Sequence, residues 1–247
     1  MYTVKMSQTV TQRPWVVIPT YNERQNIGQL IDGLLALPVP NLMILVVDDH
    51  SPDSTGEKVQ SYKDTDRVHL LDTGARIGFG ASYQRGFDYA VEHKASAIIH
   101  MDADLSHDPV AVPDLIAGLA DADVVIGSRY TNGISIVNWP MIRLFISLGA
   151  NAYARIVTGL TARDTTSGFR AWRSDALTKT NYQAMKVDGY GFLIAMLFAA
   201  HRNGSSIAEV PIVFTERQAG KSKMSKRIMF ESFLLVLKLR LNPPARS

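Results

Sequence analysis

Short apolar runs that end in acidic or polar residues, each followed by a helical segment, constrain this chain more than any other feature. Trp15-Val-Val-Ile18, Leu42-Met-Ile-Leu-Val-Val47, Val68-His-Leu-Leu71, Ala97-Ile-Ile-His-Met101 and Val124-Val-Ile126 read as buried strands. Between them, residues 23–37, 55–62, 80–93 and 112–119 carry apolar side chains at helical spacing. Such alternation predicts an α/β domain with a mostly parallel central sheet and helices on both faces. Ligands of such sheets bind beyond the carboxyl ends of the strands. Those ends read Pro19-Thr-Tyr-Asn-Glu23, Asp48-Asp-His-Ser51, Asp72-Thr-Gly74 and Asp102-Ala-Asp104, so one rim gathers Glu23, Asp48, Asp49, Asp102 and Asp104.

The pattern changes after Arg129. Residues 141–157 form an amphipathic helix in which Arg143, Ser147, Asn151 and Arg155 recur every fourth position. Ile142, Phe145, Ile146, Tyr153 and Ile156 occupy its other faces. Residues 187–203 read as a buried helix, 207–215 as one strand, and 225–241 as a final helix with basic residues flanking Phe233–Leu237. Basic flanks on an apolar stretch suit a helix lying on anionic lipid, and equally a helix docked on the core. The divisions expected are a flexible segment 1–14, a catalytic unit 15–224, and a basic helix and tail 225–247.

Charge reinforces the contrast between the two ends. The net charge of +3 is the sum of +6 after residue 200, with nine Lys/Arg against three Asp/Glu, and −3 before it. A basic end on a mildly acidic body points to an anionic partner or to a solvated basic face. Nucleic acid is disfavoured, because aromatic residues are not interleaved with the tail's cations as single-strand binding requires. No run approaches the roughly 20 apolar residues of a membrane span, and residues 1–14 have no apolar leader-like core. The absence of cysteine excludes disulfides, thiolate metal sites and a thiol nucleophile.

Other chemistries fail on spacing. Gly78-Phe-Gly80 supplies two glycines of a dinucleotide fingerprint, but Tyr83 stands where the third belongs. Thr215-Glu-Arg-Gln-Ala-Gly-Lys-Ser222 ends like a P-loop, yet it starts with Thr and leaves too little chain for a nucleotide-binding core. Neither an H-E-x-x-H zinc pattern nor a G-x-S-x-G elbow occurs. Asp102-Ala-Asp104 remains: two carboxylates at a strand end can turn toward a hard divalent cation, Mg²⁺ or Mn²⁺, although D-x-D also occurs in ordinary surface turns. His50 and His107 read as structural, and Gly78, Gly80 and Gly86 as a tight turn and close helix packing.

Seven motifs then occur in order: Val17-Ile-Pro-Thr-Tyr-Asn-Glu23, Val46-Val-Asp-Asp-His-Ser-Pro-Asp-Ser-Thr55, Gly78-Phe-Gly-Ala-Ser-Tyr-Gln-Arg-Gly86, Met101-Asp-Ala-Asp-Leu-Ser-His107, Gly127-Ser-Arg-Tyr130, Thr166-Ser-Gly-Phe-Arg-Ala-Trp-Arg173 and Arg217-Gln-Ala-Gly-Lys-Ser-Lys223. The first five resemble the inverting family-2 glycosyltransferases of GT-A fold, a Rossmann-like mostly parallel sheet. The last two narrow the resemblance to dolichyl- or polyprenyl-phosphate mannose synthases. The resemblance runs from Trp15 to Lys223.

It implies transfer of mannose from GDP-mannose to a polyprenyl phosphate on the cytoplasmic membrane face, or of glucose or another sugar to the same lipid. Pro19, Tyr21, Glu23 and Asp49 would hold the nucleoside. Asp102, Ala103 and Asp104 would meet the donor pyrophosphate and its Mg²⁺ or Mn²⁺. Ser106 stands where some members have a third, amide ligand, and its hydroxyl is a poorer one. Arg129, Arg143 and Ser147 would receive the lipid phosphate, with Asp104 as reserve base. Arg217, Lys223 and the loop between them would close over the donor phosphates. Many relatives have spanning helices or a membrane partner, so amphipathic interface helices or an anchoring subunit would attach this chain. Taken singly, Arg129 also suits a salt bridge, Ser147 a routine helix position and Lys223 a solvated loop.

Overall fold

The central strands are buried on both faces, and the alternating direction of their side chains divides the core into two layers. The computed structural model describes residues 13–187, 189–216 and 226–241, with residues 190 and 226–232 described by backbone alone. Its first half runs β1 (Pro14–Thr20), α1 (Arg24–Leu35), β2 (Met43–Asp48), α2 (Thr55–Gln60), β3 (Val68–Asp72), α3 (Phe79–Glu92), β4 (Ala97–His100), α4 (Val112–Gly118) and β5 (Val124–Ser128). There follow β6 (Ile136–Val137), α5 (Met141–Thr158), β7 (Arg170–Arg173), α6 (Ser174–Thr178), α7 (Gly189–Arg202), β8 (Ile207–Pro211), β9 (Phe214–Thr215) and α8 (Lys226–Leu241). Seven strands form a sheet in the order β3-β2-β1-β4-β7-β5-β8, while β6 and β9 pair separately.

Successive side chains of a strand point to opposite faces. Val16, Ile18, Ile44, Val46 and Ile99 therefore meet Ile27, Leu30 and Ile31 of α1 and Leu115 of α4. Their neighbours Trp15, Val17, Leu45, Val47 and Ile98 meet Tyr83 and Phe87 of α3 and Phe192 and Met196 of α7. Helices thus cover both faces, as the alternation predicts. Close packing sets one residue choice: a Cβ at Gly86 of α3 would overlap Val17 Cγ1 and come 2.9 Å from Val47 Cγ2.

Three expectations change, two of them in the second half. The motif at 166–173 contains a strand that the residue pattern does not reveal, since β7 lies antiparallel between β4 and β5. Its Arg170 is wholly buried and donates to the carbonyls of Leu193 and Thr165, each at 2.7 Å. Burial lowers the guanidinium to about 10, so it remains charged at neutral pH.

The single strand expected at 207–215 is two. β8 pairs with β5 up to Pro211, and after Ile212-Val213 the chain crosses to pair β9 with β6. The segment expected to be flexible, 1–14, already contains the start of β1, and Arg13 N donates to Ser96 Oγ at 2.9 Å. Residues 1–12 of that segment lie outside the described residues.

Helix α5 is inside out. Its buried residues are Asn151, Ala154 and Thr158, with Arg143 and Ser147 half-buried, whereas Met141, Ile142, Phe145, Ile146 and Ile156 are exposed. Arg155, the last member of the polar stripe, is also exposed. Helix α8 docks by Val236 and Leu239 against Ala154 of α5 and Ile194, Ala195 and Phe198 of α7. Its Phe233, Leu234, Leu237 and Leu241 remain exposed. Docking on the core and presenting an apolar face are thus both true of this helix. No helix among the described residues is long and apolar enough to cross a membrane.

Candidate active site

At the ends of the first strands, acidic residues brace loops. Asp48 accepts from Thr20 Oγ1 at 3.1 Å and Ser51 Oγ at 2.5 Å, tying the loop after β1 to the loop after β2. Ser51, Thr55 and Asp53 in turn accept from the amides of Asn22, Glu23 and Arg24, satisfying donors at the start of α1. Asp49 accepts from the amides of Ile77 and Gly78 at 2.6 and 3.0 Å. That contact fixes the turn leading into α3, where Gly78 has φ 96°. The same turn lays the Arg76 guanidinium 4.1 Å from the Tyr21 ring centroid. Pro19 lies within β1, and Glu23 accepts from Asn26 Nδ2 at 2.9 Å. The rim carboxylates Asp48 and Asp49 are thus satisfied by hydroxyls and amides, and do not need a cation to offset their clustering.

Asp102-Ala-Asp104 follows β4. Ala103 is buried, and Asp104, 6% exposed, accepts from Ser106 N at 3.1 Å. The Asp102 carboxylate lies against Gly168, where a Cβ would stand 3.3 Å from Oδ2. Beneath it, burial and the neighbouring Asp102 keep the Tyr83 phenol protonated, well above its ordinary range. Among the described residues no cluster of three or more His, Asp or Glu is arranged to hold a metal. A Mg²⁺- or Mn²⁺-type site needs only one or two carboxylates completed by substrate oxygens, and this pair fits that requirement. Ser106 is buried and its carbonyl accepts from Thr215 N at 3.2 Å. His107 packs between Phe169 and Phe214, and burial lowers it to about 4, so it is neutral in neutral solution.

A recess opens between Asp102, Ser106 and His107 on one side and Arg129, Trp139 and Arg143 on the other, with Thr166, Ser167, Gly168 and Phe214 completing its wall. Arg129 follows β5 and donates to Asp164 through Nε and Nη2, at 2.7 and 2.6 Å, and through Nη2 to Thr166 Oγ1 at 2.8 Å. Burial alone would raise the Asp164 carboxyl, but the Arg129 guanidinium and its hydrogen bonds hold it below the usual range. The amides of Arg163 and Asp164 are held by Glu209 of β8.

Arg143 projects from α5 with its guanidinium 4.0 Å from the Trp139 ring centroid, and its Nη1 donates to Glu216 Oε1. One turn on, Ser147 Oγ and Tyr130 Oη are hydrogen-bonded at 2.7 Å. Asn151 accepts from Thr165 N and Oγ1, which docks the polar stripe of α5 onto the loop before β7. Arg143 Nε and Trp139 Nε1 are buried and have no acceptor among the described residues.

The fold therefore brings together Asp102, Ser106, Arg129 and Arg143 at one recess, with Asp104 beside them on the same turn. It sets Pro19, Tyr21, Glu23 and Asp49 along the adjoining rim. Arg217 and Lys223 lie outside the described residues. Sequence reasoning missed Asp164, Glu216 and Trp139, and placed Asn151 on the polar stripe without a role at the site. Asp164 stands just before a quoted motif and Glu216 just before another, so adjacency to those motifs was the available signal.

A family model for Glycosyl transferase family 2 matches residues 15–180. The chain belongs to this family. Polyprenol monophosphomannose synthase of Mycolicibacterium smegmatis is 45% identical over 218 residues, spanning 87% of this chain and 82% of that protein. Undecaprenyl-phosphate mannosyltransferase of Micrococcus luteus is 41% identical over 91% of this chain and 92% of its own length. For dolichol-phosphate mannosyltransferase of Pyrococcus furiosus the identity is 36%, over 87% of this chain and 60% of that one.

Among solved structures, glucosyl-3-phosphoglycerate synthase from Mycobacterium tuberculosis, in complex with Mn²⁺, UDP and phosphoglyceric acid, superposes with a TM-score of 0.70 at 20% identity. That match covers 95% of this chain and 80% of the other. It shows a GT-A-like α/β fold for this glycosyl transferase family 2 member, in accord with the sheet expected from sequence.

Proposed function

We propose that the protein is a polyprenyl-phosphate mannosyltransferase, moving mannose from GDP-mannose to the lipid phosphate with inversion. The observation that carries this reading is the recess with a carboxylate on one wall and, on the other, two buried donors that have no acceptor among the described residues, Arg143 Nε and Trp139 Nε1. A phosphate monoester supplies oxygens for such donors, and a charge-assisted bond to guanidinium is among the stronger ones available. The names of the relatives at 41–45% identity support mannose and a polyprenyl acceptor.

In this reading Pro19, Tyr21 and Glu23 hold the guanosine, while Asp49 fixes the turn that places Arg76 over Tyr21. Asp102 and Asp104 would hold the divalent cation, Ala103 between them would face the pyrophosphate, and the Ser106 hydroxyl would be a poorer ligand than either carboxylate. When bound, that cation neutralises charge on the departing diphosphate. Arg143 and Ser147 position the acceptor phosphate, and Arg129, braced by Asp164, forms the wall behind it. A phosphate oxygen attacks the anomeric carbon in line while the bond to the nucleoside diphosphate breaks. The phosphate's second pKa near about 6 makes it anionic at neutral pH, so attack requires no general base. Arg217 and Lys223 would bring positive charge to the donor phosphates.

The inverted helix supports a membrane surface as the place of reaction. Apart from Val110, every large apolar side chain left exposed among the described residues lies on α5, on α8 or within three residues of β6 or β9. An exposed apolar patch beside the acceptor recess, with basic residues on α8, suits the interfacial region of an anionic cytoplasmic leaflet.

The test is transfer of label from GDP-mannose, GDP-glucose or UDP-glucose to a short polyprenyl phosphate with Mg²⁺ or Mn²⁺, followed into the organic phase. Mannose transfer lost in Asp104→Ala is the expected result. Transfer only from a glucose donor would overturn the sugar assignment. Transfer only after adding membranes that lack their own activity would place an anchoring subunit in the active assembly.

A further inference from the structure

The two recess arginines differ in what holds them. Arg129 and Asp164 have side chains 6% and 0% exposed, and Asp164 is itself pinned by backbone bonds to Glu209. Arg143 and Glu216 have side chains 20% and 29% exposed. Glu216 reaches Arg143 from the segment just after β9, across 73 residues of sequence. Its backbone is anchored independently, because Glu216 N donates to Val137 O at 3.2 Å and β9 is paired with β6. The carboxylate can therefore leave the guanidinium by side-chain rotation alone, without breaking the strand pair that holds Glu216 in place.

The pairing is also incomplete. Glu216 satisfies Nη1, while Arg143 Nε, buried in the same recess, has no acceptor among the described residues. A single carboxylate placed on Nη1 leaves Nε unmatched, whereas phosphate oxygens can engage both edges of a guanidinium. We propose that Glu216 is an anionic placeholder for the acceptor phosphate: it holds Arg143 over Trp139 while the recess is empty and is displaced when the lipid phosphate binds. This rests on the reading of Arg143 as an acceptor-phosphate residue. Glu216 then positions Arg143 before binding and sets the affinity for acceptor, because a phosphate that engages Nη1 as well as Nε must outcompete it. It also makes the recess selective. A neutral hydroxyl acceptor cannot replace the carboxylate's charge, and a phosphate can.

The experiment measures binding of a short-chain polyprenyl phosphate to the full chain without donor, by calorimetry and by tryptophan fluorescence, since Trp139 lies under Arg143. Glu216→Gln keeps the volume and removes the charge. It should bind the lipid phosphate about three- to tenfold more tightly than wild type, the size expected for losing a partly exposed ion-pair competitor. Glu216→Asp keeps the charge on a shorter stem and should bind with an affinity between the two, whereas Arg143→Gln should bind weakly. In the transfer assay Glu216→Gln should lower KM for the lipid phosphate and leave KM for the donor unchanged.

Equal or weaker binding by folded Glu216→Gln, judged by its thermal midpoint, would overturn the proposal, as would a shift in donor KM alone. Binding that follows the expected order without sugar transfer from any donor would sink the proposed function and leave the placeholder standing. Transfer with an unchanged acceptor KM in Glu216→Gln would do the reverse.

Discussion

The rim after the first four strands and the recess after β5 use the same residue type in opposite ways. Around β1 and β2, Asp48, Asp49 and Asp53 accept from backbone amides and hydroxyls, so carboxylates hold loops. Around β5, α5 and β9, Asp164 and Glu216 accept from guanidiniums, so carboxylates hold cations. The first arrangement shapes a surface while adding negative charge. The second stores positive charge beside a half-buried Asp102 that would otherwise repel an anionic acceptor. Negative sequence charge therefore does not mark a metal site by itself: of the five acidic rim residues, two are already committed to bracing loops.

Removing one arginine partner tests the deeper of the two pairs. Asp164→Asn leaves Arg129 buried without its counter-charge, and breaking such a pair costs about 3–5 kcal/mol. Equilibrium denaturation should show that loss, while Glu216→Gln should stay within about 1 kcal/mol of wild type. Similar losses for both variants would erase the distinction between a fixed and a displaceable pair.

The rim carboxylates divide next. Asp104→Ala should lower mannose transfer by about two to three orders of magnitude, the scale of losing several kcal/mol of charge stabilisation on a departing diphosphate. Circular dichroism should remain that of the folded chain, because Asp104 sits on the turn after β4, outside the strand pairing, and accepts from Ser106 N only two residues on. A fall in stability matching the fall in rate would instead make Asp104 a brace like Asp48.

The sequence made the first half legible because its strands are continuous apolar runs and its helices are amphipathic, and the observed bounds differ by at most three residues. β7 was hidden by Arg170, a charged residue at a fully buried strand position whose partners, Leu193 and Thr165, are backbone carbonyls that no local spacing reports. The break in residues 207–215 follows from pairing β8 with β5 and β9 with β6, and Pro211, which ends β8, was the one local signal for it. For the site, Asp102 and Asp104 stood out by spacing, and Arg143 and Ser147 by helical period. Asp164 and Glu216 did not, since their partners lie 35 and 73 residues away. The amphipathic pattern of α5 was plain, but periodicity alone does not say which face is buried, and here the polar one is.

Acid sharpens the contrast between the pairs at smaller cost. The Asp164 carboxyl is held below its ordinary 3.8, so the folded state binds its proton less readily than the unfolded chain does. Its contribution is present above pH 3.8 and is lost as pH falls through the depressed value. The stability gap between wild type and Asp164→Asn should be constant from pH 7 to about 5 and should narrow below about 3.8. A gap that closes nearer neutrality would assign the stabilisation to another group.

The smallest effect on the fold belongs to the exposed face of α5, and there the contrast becomes one between folding and location. Phe145 is 62% exposed, so replacing it by Glu removes little packing and should change denaturant stability by less than about 0.5 kcal/mol. On a membrane the same substitution trades an aromatic ring at an apolar boundary for a charge, and binding to anionic vesicles should weaken by at least about tenfold. Transfer to a soluble short-chain acceptor should then be retained while transfer to vesicle-embedded lipid falls. Unchanged vesicle binding would move the attachment surface from α5 to α8, where Phe233, Leu234 and Leu237 offer the other exposed apolar face. Loss of both activities together would mean that α5 shapes the recess through Phe145. The inward direction of Arg143, Ser147 and Asn151 argues against that outcome, because those residues, on the opposite face, make the recess contacts.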